Sequence, residues 1–187
     1  MADDLFPWER YAALTSIAEQ SSRRLGRTAM MKLAYFLQEL RGVPLGYDFS
    51  LYEYGPFDSA VLADLAQLQA LETLEQRVVQ YPSGPGYEIH VGSDLCYVKD
   101  RAADFLQRHQ KDFEWVLEEF GGYGAANLDL LSTMVFADRE AAENKEAITL
   151  AELVSRVLAI KPRFSQEHAE RLARWLLERK YLRTTTE

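Results

Sequence analysis

Apolar residues recur at helical spacing along most of the chain. A stripe of apolar side chains at positions i, i+3, i+4 and i+7 is typical of an amphipathic helix with one buried face. The segments with this pattern are 7–20, 28–40, 58–71, 102–120, 128–137, 149–160 and the stretch from 165 toward the C-terminus. Residues that can cap helix N-termini begin several of them: Thr28, Asp58, Ser165, and Thr149 with Glu152 at the spacing of a capping box. The chain is therefore predicted to be mostly helical.

Two β patterns interrupt these helices. Side chains alternate between two faces over residues 49–54, which predicts a strand. Residues 74–81 and 87–91 favour strands and are joined by the five turn-forming residues 82–86, which predicts a hairpin. The second helix, this strand, the third helix and the hairpin follow one another in the order of a winged-helix unit. In that fold the third helix would read DNA and the hairpin would form the wing.

We therefore predict an α+β fold that is predominantly helical. An N-terminal winged-helix-like unit with a small antiparallel sheet, residues 1–99, is expected to pack on a C-terminal helical bundle, residues 100–187. The joints at 121–127 and 143–147 are too short to act as flexible linkers. We expect the two parts to behave as one cooperative body.

Charge narrows the range of partners. The chain has 187 residues, of which 21 are basic and 29 acidic, so its net charge is −8. This balance disfavours general binding to nucleic acids or anionic membranes, which requires a cationic surface. Residues 104–152 hold 4 basic and 11 acidic residues, whereas 156–183 hold 8 basic and 3 acidic. The two segments predict either two solvated faces of opposite sign or a basic docking face near the C-terminus.

The predicted third helix lacks the residues of a DNA reader. Between Phe57 and Gln76 there is no lysine or arginine, and four residues there are acidic: Asp58, Asp64, Glu72 and Glu75. Phosphate would repel such a helix. DNA binding would therefore depend on the basic residues near the C-terminus, namely Arg171, Arg174, Arg179, Lys180 and Arg183.

Residues with the spacing of a catalytic or metal site are not apparent. The histidines lie far apart in sequence, and no zinc, di-iron, phosphate-loop or serine-hydrolase motif occurs. His109 lies in an apolar stripe and is expected in the core, while Glu114 and Glu118 are expected on a solvated helix face. We predict a protein that is not an enzyme and has no cofactor or metal, although an unrecognised enzyme that uses those three residues stays open.

The single cysteine and the short apolar runs indicate in which cellular compartment the protein is expected. Cys96 cannot form an intrachain disulfide, and its apolar neighbours predict a buried, unreactive thiol. The longest unbroken apolar run, 33–37, has five residues, far fewer than the ~20 that span a bilayer. The N-terminus lacks the features of a signal peptide. We therefore expect a cytoplasmic protein without a membrane partner.

Three short segments carry a resemblance to a known family. They are Met31–Gln38, Gly42–Leu45 and Tyr52–Phe57. Their pattern, Lys-Leu-x-Tyr-Phe-x-Gln, then Gly-x-Pro-Leu, then Tyr-Gly-Pro ahead of a helix, resembles the Panacea (SocA-like antitoxin) domain and the related YwgA-like proteins. The match covers about 28–75, a quarter of the chain, and the segment 160–165 fits the YwgA-like group more loosely.

The resemblance implies a non-enzymatic module that binds a protein partner. Panacea members neutralise a toxin by direct contact or present it for degradation, so the partner would be a toxin or client protein. The residues that match the shared motif are Lys32, Tyr35, Tyr52, Tyr54, Gly55 and Pro56. The Tyr-Gly-Pro segment could serve the fold, because Gly55 and Pro56 shape a turn, or it could supply tyrosines to an interface. A winged-helix DNA-binding transcriptional regulator is the alternative function, and homodimer formation stays open.

Overall fold

The computed structural model describes residues 6–53, 55–82 and 84–185. The predicted fold class is confirmed, because this part of the chain is predominantly helical with two small antiparallel sheets. The helices are α1 (Trp8–Gln20), α2 (Arg27–Arg41), α3 (Ser59–Ala70), α4 (Leu95–Arg101), α5 (Ala103–Phe120), α6 (Ala125–Glu143), α7 (Leu150–Ile160) and α8 (Gln166–Glu178). The strands are β1 (Ser50–Tyr52), β2 (Gly55–Phe57), β3 (Leu74–Tyr81) and β4 (Gly84–Val91). None of the helices in these ranges is both long and apolar enough to cross a membrane.

The chain forms two compact units. The first comprises the residues up to Phe49 together with Asp58–Ala125, and the second comprises Ser50–Phe57 together with the residues from Ala126 onward. Residues 99 and 100, between which the sequence predicts a boundary, lie inside α4. Helices α4 and α5 both pack against α1 and therefore belong to the first unit.

The first unit has the element order of a winged helix, but with a different first strand from the one predicted. Its elements run in the order α1, an isolated β-bridge at Leu25, α2, α3 and the hairpin β3–β4, and α4 and α5 follow the hairpin. The Ile89 N–H donates to the Leu25 carbonyl over 2.8 Å, so Leu25 takes the place that the sequence assigns to residues 49–54. Within the predicted strand 49–54 the structure forms β1 (Ser50–Tyr52), which pairs instead with β2 and belongs to the second unit.

The hairpin β3–β4 is longer than the sequence predicts. Its register runs without interruption from Leu74 opposite Val91 to Tyr81 opposite Gly84. The second strand therefore begins at Gly84, three residues earlier than expected. Leu74 and Ile89 are buried at the base of the hairpin, whereas its distal half is largely exposed.

A buried polar cluster joins the helices of the first unit. The Asp64 carboxylate on α3 accepts hydrogen bonds from the Tyr47 hydroxyl at 2.8 Å and from Arg10 on α1 at 3.0 Å. Burial raises the pKa of Asp64, although the hydrogen bonds from Tyr47 and Arg10 act in the opposite direction. Burial and the neighbouring Asp64 also raise the pKa of Tyr47. The cluster thus ties α1 and the segment around Tyr47 to α3.

Three of the four predicted helix caps are confirmed. The Asp58 carboxylate accepts from the Ala60 N–H at 2.8 Å, Ser165 caps α8, and Thr149 and Glu152 form the capping box of α7. The prediction for Thr28 is wrong, because α2 begins at Arg27 and its N-cap is Gly26. The backbone of β4 requires glycine there, since a Cβ on residue 26 would lie 2.9 Å from the Tyr87 carbonyl oxygen.

The predicted burial of Cys96 is also wrong. The residue lies on α4, a helix that the apolar pattern does not predict, and its side chain is exposed. Val98 is the residue through which this seven-residue helix enters the core. Cys96 lies two positions earlier, about 200° around the helix, and therefore points to another side.

The C-terminal segment of the second unit is held by Asp138 on α6. This buried carboxylate accepts from the backbone N–H groups of Arg183 and Thr184 at 2.9 and 2.8 Å. Its Oδ2 also contacts Arg139, 2.5 Å away. Because a buried carboxylate is stable only when it is paired, these contacts fix the end of the described chain to α6.

Candidate functional site

The Tyr-Gly-Pro motif forms a hairpin of the second unit. Strands β1 and β2 pair with Ser50 opposite Phe57, Leu51 opposite Pro56 and Tyr52 opposite Gly55. Glu53 lies in the turn that follows β1, and Tyr54, one of the predicted motif residues, lies outside the described residues. We call residues 50–57 the motif hairpin. Two strands alone are rarely stable in water, so a support is required.

That support is a buried ion pair between α6 and the segment after α7. The Lys161 ammonium donates to the Glu53 carbonyl oxygen in the turn at 2.6 Å and to Asp129 Oδ1 at 3.1 Å. The side chains of Asp129 and Lys161 are each only 2% exposed. Arg163, which is partly exposed, donates to Asp129 Oδ2 at 2.5 Å. One lysine therefore connects the turn of the hairpin to a carboxylate on α6.

Burial and pairing act on Lys161 in opposite directions. Removal from water disfavours the charged ammonium and lowers the pKa of Lys161, while the hydrogen bond to Asp129 partly offsets this effect. Buried charges are tolerated when they are paired and hydrogen-bonded. The cluster of Asp129, Lys161 and Arg163 satisfies both conditions, and the Glu53 carbonyl joins the hairpin to it.

Gly55 is required by this close packing. Its φ of 78° lies in the left-handed region, which glycine adopts without steric cost. A Cβ on residue 55 would lie 2.6 Å from Thr133 Oγ1 and 2.8 Å from Asp129 Oδ1. Gly55 and Pro56 are both buried. These two residues of the motif therefore position the hairpin on α6.

The outer part of the motif hairpin exposes apolar and aromatic surface. Tyr52 is 63% exposed, and the neighbouring Leu51 is also exposed. The Tyr52 ring packs on Phe57, with 5.6 Å between ring centroids. A large side chain held by its neighbours loses little entropy on binding, which is the property of an interface anchor.

Lys32 and Tyr35, the other predicted motif residues, lie in the core of the first unit. Both are on α2 and are almost fully buried. The Tyr35 ring packs edge-on against Phe49, with 5.1 Å between ring centroids. They therefore present no surface to a partner.

The alternative catalytic candidates, His109, Glu114 and Glu118, all lie on α5. His109 Nδ1 lies 2.9 Å from Asp112, which also accepts from Arg41 at 2.8 Å. Partial burial would raise the pKa of Asp112, but the hydrogen bonds from His109 and Arg41 outweigh it and lower that pKa. Glu114 and Glu118 are exposed on α5, as the sequence predicts. Within the described ranges, no three histidine, cysteine, aspartate or glutamate side chains are grouped so that they could hold a metal ion.

Helix α3, which would read DNA in a winged helix, has no lysine or arginine. The exposed positions of α3 are small or neutral: Ser59, Ala63, Ala66, Gln69 and Ala70. The first unit has 11 basic and 18 acidic residues, whereas the second has 10 and 11. Most of the net negative charge therefore belongs to the unit that would have to approach phosphate.

No protein-family model matches this sequence, and no curated protein matches it significantly. The resemblance to the Panacea domain stays a prediction that rests on the three motifs.

The predicted motif residues do not include the cluster of Asp129, Lys161 and Arg163. Lys161 and Arg163 lie in the segment 160–165, whose sequence signal is its loose similarity to the YwgA-like group. Asp129 had a usable signal, because it is an acidic residue within the apolar run of α6. A charge in such a position needs a partner, but the sequence does not say which residue provides it.

Proposed function

We propose that the protein is a non-enzymatic protein-binding module, antitoxin-like or adaptor-like, whose motif hairpin contacts the partner. The observation that carries this proposal is the exposure of Tyr52 on a hairpin that a buried ion pair holds in place. A preformed hairpin binds without the cost of ordering a loop. Exposed tyrosine is also among the residues that most often dominate binding energy at protein interfaces.

The charge of the molecule indicates the chemistry of the partner. With a net charge of −8, most of it in the first unit, the protein would attract a partner whose surface is basic. Long-range attraction of this kind mainly accelerates association, whereas contacts of Leu51 and Tyr52 would slow dissociation. A basic toxin or client protein fits both contributions.

A DNA-binding regulator is the second candidate, because the first unit has the element order of a winged helix. The neutral exposed face of α3 and the excess of acidic residues argue against it. Any affinity for DNA would have to come from the basic residues around α8, and it would fall steeply as salt is added.

The test is a pull-down of tagged protein from its host's lysate, with and without nuclease. Three baits are compared: the wild type, the double variant Leu51→Ser/Tyr52→Ala, and the control Ile160→Ser, which changes an exposed apolar residue of the same unit. We expect a stoichiometric protein partner that survives nuclease, is retained by the control and is lost from the double variant. Loss of a central tyrosine anchor costs about 2 kcal/mol or more, roughly a 30-fold weaker Kd.

Two results would contradict the proposal. A partner held equally by all three baits would exclude the motif hairpin as the contact. Recovery of nucleic acid, or of partners that vanish with nuclease, would favour the DNA-binding alternative. Urea unfolding of each bait measures its stability, so a variant that has lost only the binding contact can be distinguished from one that no longer folds.

A further inference from the structure

The outer edge of strand β3 is unpaired. On its inner side β3 pairs with β4, and the far side of β4 meets Leu25. Among the residues that the structure describes, no strand pairs with the outer side of β3. Val78 in this strand is 70% exposed. Such an edge is a template for another strand, and proteins usually protect it with charges, proline or a covering element.

The hydrogen bonds identify which backbone groups of β3 point outward. Gln76 lies opposite Ile89; the Gln76 N–H donates to the Gln69 side chain at 3.2 Å, and the Ile89 N–H donates to Leu25. Because both N–H groups point away from the ladder, these residues form a non-hydrogen-bonded pair. Such pairs alternate along an antiparallel ladder, so the N–H and C=O groups of Val78 and Gln80 also point outward.

Proline confirms this assignment. Pro85 lies opposite Gln80 in the register. Proline has no N–H to give to the ladder, and within sheets it is confined to positions where that group would point outward. At the base of β3 the Gln69 side chain already uses the outward N–H of Gln76. The open edge therefore comprises the backbone groups of Val78 and Gln80.

We propose that this edge pairs with the β3 edge of a second copy of the chain, antiparallel and with Val79 on the twofold axis. Val78 then lies opposite Gln80 of the partner subunit, and Gln80 lies opposite the partner's Val78. Each of these pairs exchanges two backbone hydrogen bonds, so both open positions of both copies are used. The two hairpins form one four-stranded sheet by strand addition.

Other registers use the edge less well. With Val78 on the axis, Gln80 would face the partner's Gln76, whose N–H is already bonded to Gln69. With Gln80 on the axis, Val78 would face the partner's Pro82, which has no N–H. With Arg77 on the axis, two arginines would lie directly opposite, and like charges in that position are destabilising.

The side chains also fit the proposed register. Val79 would face the partner's Val79, a β-branched pair that packs well across strands. Arg77 would face the partner's Tyr81, a cation beside an aromatic ring. Gln76 would face the partner's Pro82. The Gln76 N–H already donates to Gln69, and proline has no N–H, so this pair leaves no backbone donor without an acceptor. No like charges oppose each other among these pairs.

A disulfide across the axis tests the register. In a Cys96→Ser background, Val79→Cys places two thiols in a non-hydrogen-bonded pair, where the Cα atoms are about 4.5 Å apart and can be bridged. We expect mild oxidation to give a disulfide-linked dimer on a non-reducing gel. The control is Val91→Cys in the same background, an exposed valine on β4 away from the axis. Cross-linking of Val79→Cys no faster than of this control would overturn the register.

Sedimentation equilibrium tests the association itself. We expect the wild type to shift from its chain mass of 21.4 kDa to twice that value as its concentration rises. Val79→Lys would place two ammonium groups together at the axis, so this variant should stay at the monomer mass. Val91→Lys should still form the dimer. A wild type that stays monomeric up to its solubility limit, or a Val79→Lys variant that still dimerises, would overturn the proposal. Tyr52→Ala should dimerise normally, so this test is separate from that of the motif hairpin.

Discussion

Asp129 and Lys161 form an ion pair of 3.1 Å in which each side chain is 2% exposed. The same ammonium donates to the Glu53 carbonyl oxygen, so the pair joins α6 to the turn of the motif hairpin. A buried pair of this kind adds little net stability compared with apolar residues of the same volume, but removal of one partner leaves a charge buried alone. Loss of either partner should therefore displace the hairpin, even though the intact ion pair adds little net stability.

Asp129→Ala should destabilise the protein by about 3–5 kcal/mol, because it leaves Lys161 buried without its carboxylate. Urea unfolding followed by circular dichroism measures the change. Glu140→Ala, at an exposed position on the same helix, is the control and should change the free energy of unfolding by less than about 0.5 kcal/mol. Equal effects of the two substitutions would show that the ion pair is not what holds the hairpin.

Gly55→Ala should cost about 1–3 kcal/mol from the left-handed backbone alone, and more because the added Cβ would overlap Thr133 and Asp129. The matched control is Gly122→Ala, since Gly122 has no positive φ and a Cβ there would meet nothing within 4 Å. Thermal unfolding of both variants under the same conditions makes the comparison. A Gly55→Ala protein as stable as the control would contradict the described packing of the hairpin.

Tyr47→Phe should reduce stability by about 1–3 kcal/mol, because the buried Asp64 carboxylate loses a hydrogen bond. The same bond lowers the pKa of Asp64 against the effect of burial, so its removal should raise that pKa further. Titration of the Asp64 carboxyl carbon by NMR reads this shift directly. Tyr52→Phe, at an exposed tyrosine, should leave both quantities nearly unchanged, and a pKa of Asp64 that falls in Tyr47→Phe would exclude this role.

Glu152→Gln tests the capping box through pH. The hydrogen bonds from the Thr149 backbone and hydroxyl lower the pKa of Glu152 below its unfolded value of about 4.3. The ionised form therefore stabilises the folded state above that value, and this contribution is lost as pH falls through the folded pKa. The melting temperatures of wild type and variant should differ most near neutral pH and converge in acid. A difference that is independent of pH would assign the stabilisation to something other than the ionised carboxylate.

Local features of the fold could be predicted from the sequence. The stripe of Phe105, Phe113, Val116 and Phe120 on α5 is buried as its spacing requires, and the caps at Asp58, Thr149 and Ser165 depend on residues at most three positions away. Strand β3 also has its predicted limits. In each case the physical cause lies within one or two turns of the chain or within one alternating run.

Pairings between distant residues could not be predicted in this way. Leu25 joins the edge of β4 as a single bridged residue, which is too short for any alternating pattern. Residues 49–54 do alternate, but the pattern does not specify whether their partner is the wing or the segment that follows. The separation between Asp129 and Lys161 is 32 residues, and one polar residue in an apolar stripe indicates that a partner exists without naming it. The predicted site therefore included the visible motif and missed the residues that anchor it.

The motif hairpin is contributed by residues 50–57, while the rest of its unit begins at Ala126. Lys161 follows Glu53 by 108 residues. At ribosomal rates of about 5–20 residues per second, the turn would leave the tunnel roughly 5–20 seconds before the lysine that secures it. All residues of the first unit have been synthesised once Ala125 is added, so this unit can fold while the hairpin is still a solvated loop. The surface that we assign to partner binding would therefore mature only after the first unit is complete, and truncation before Lys161 would leave it without support.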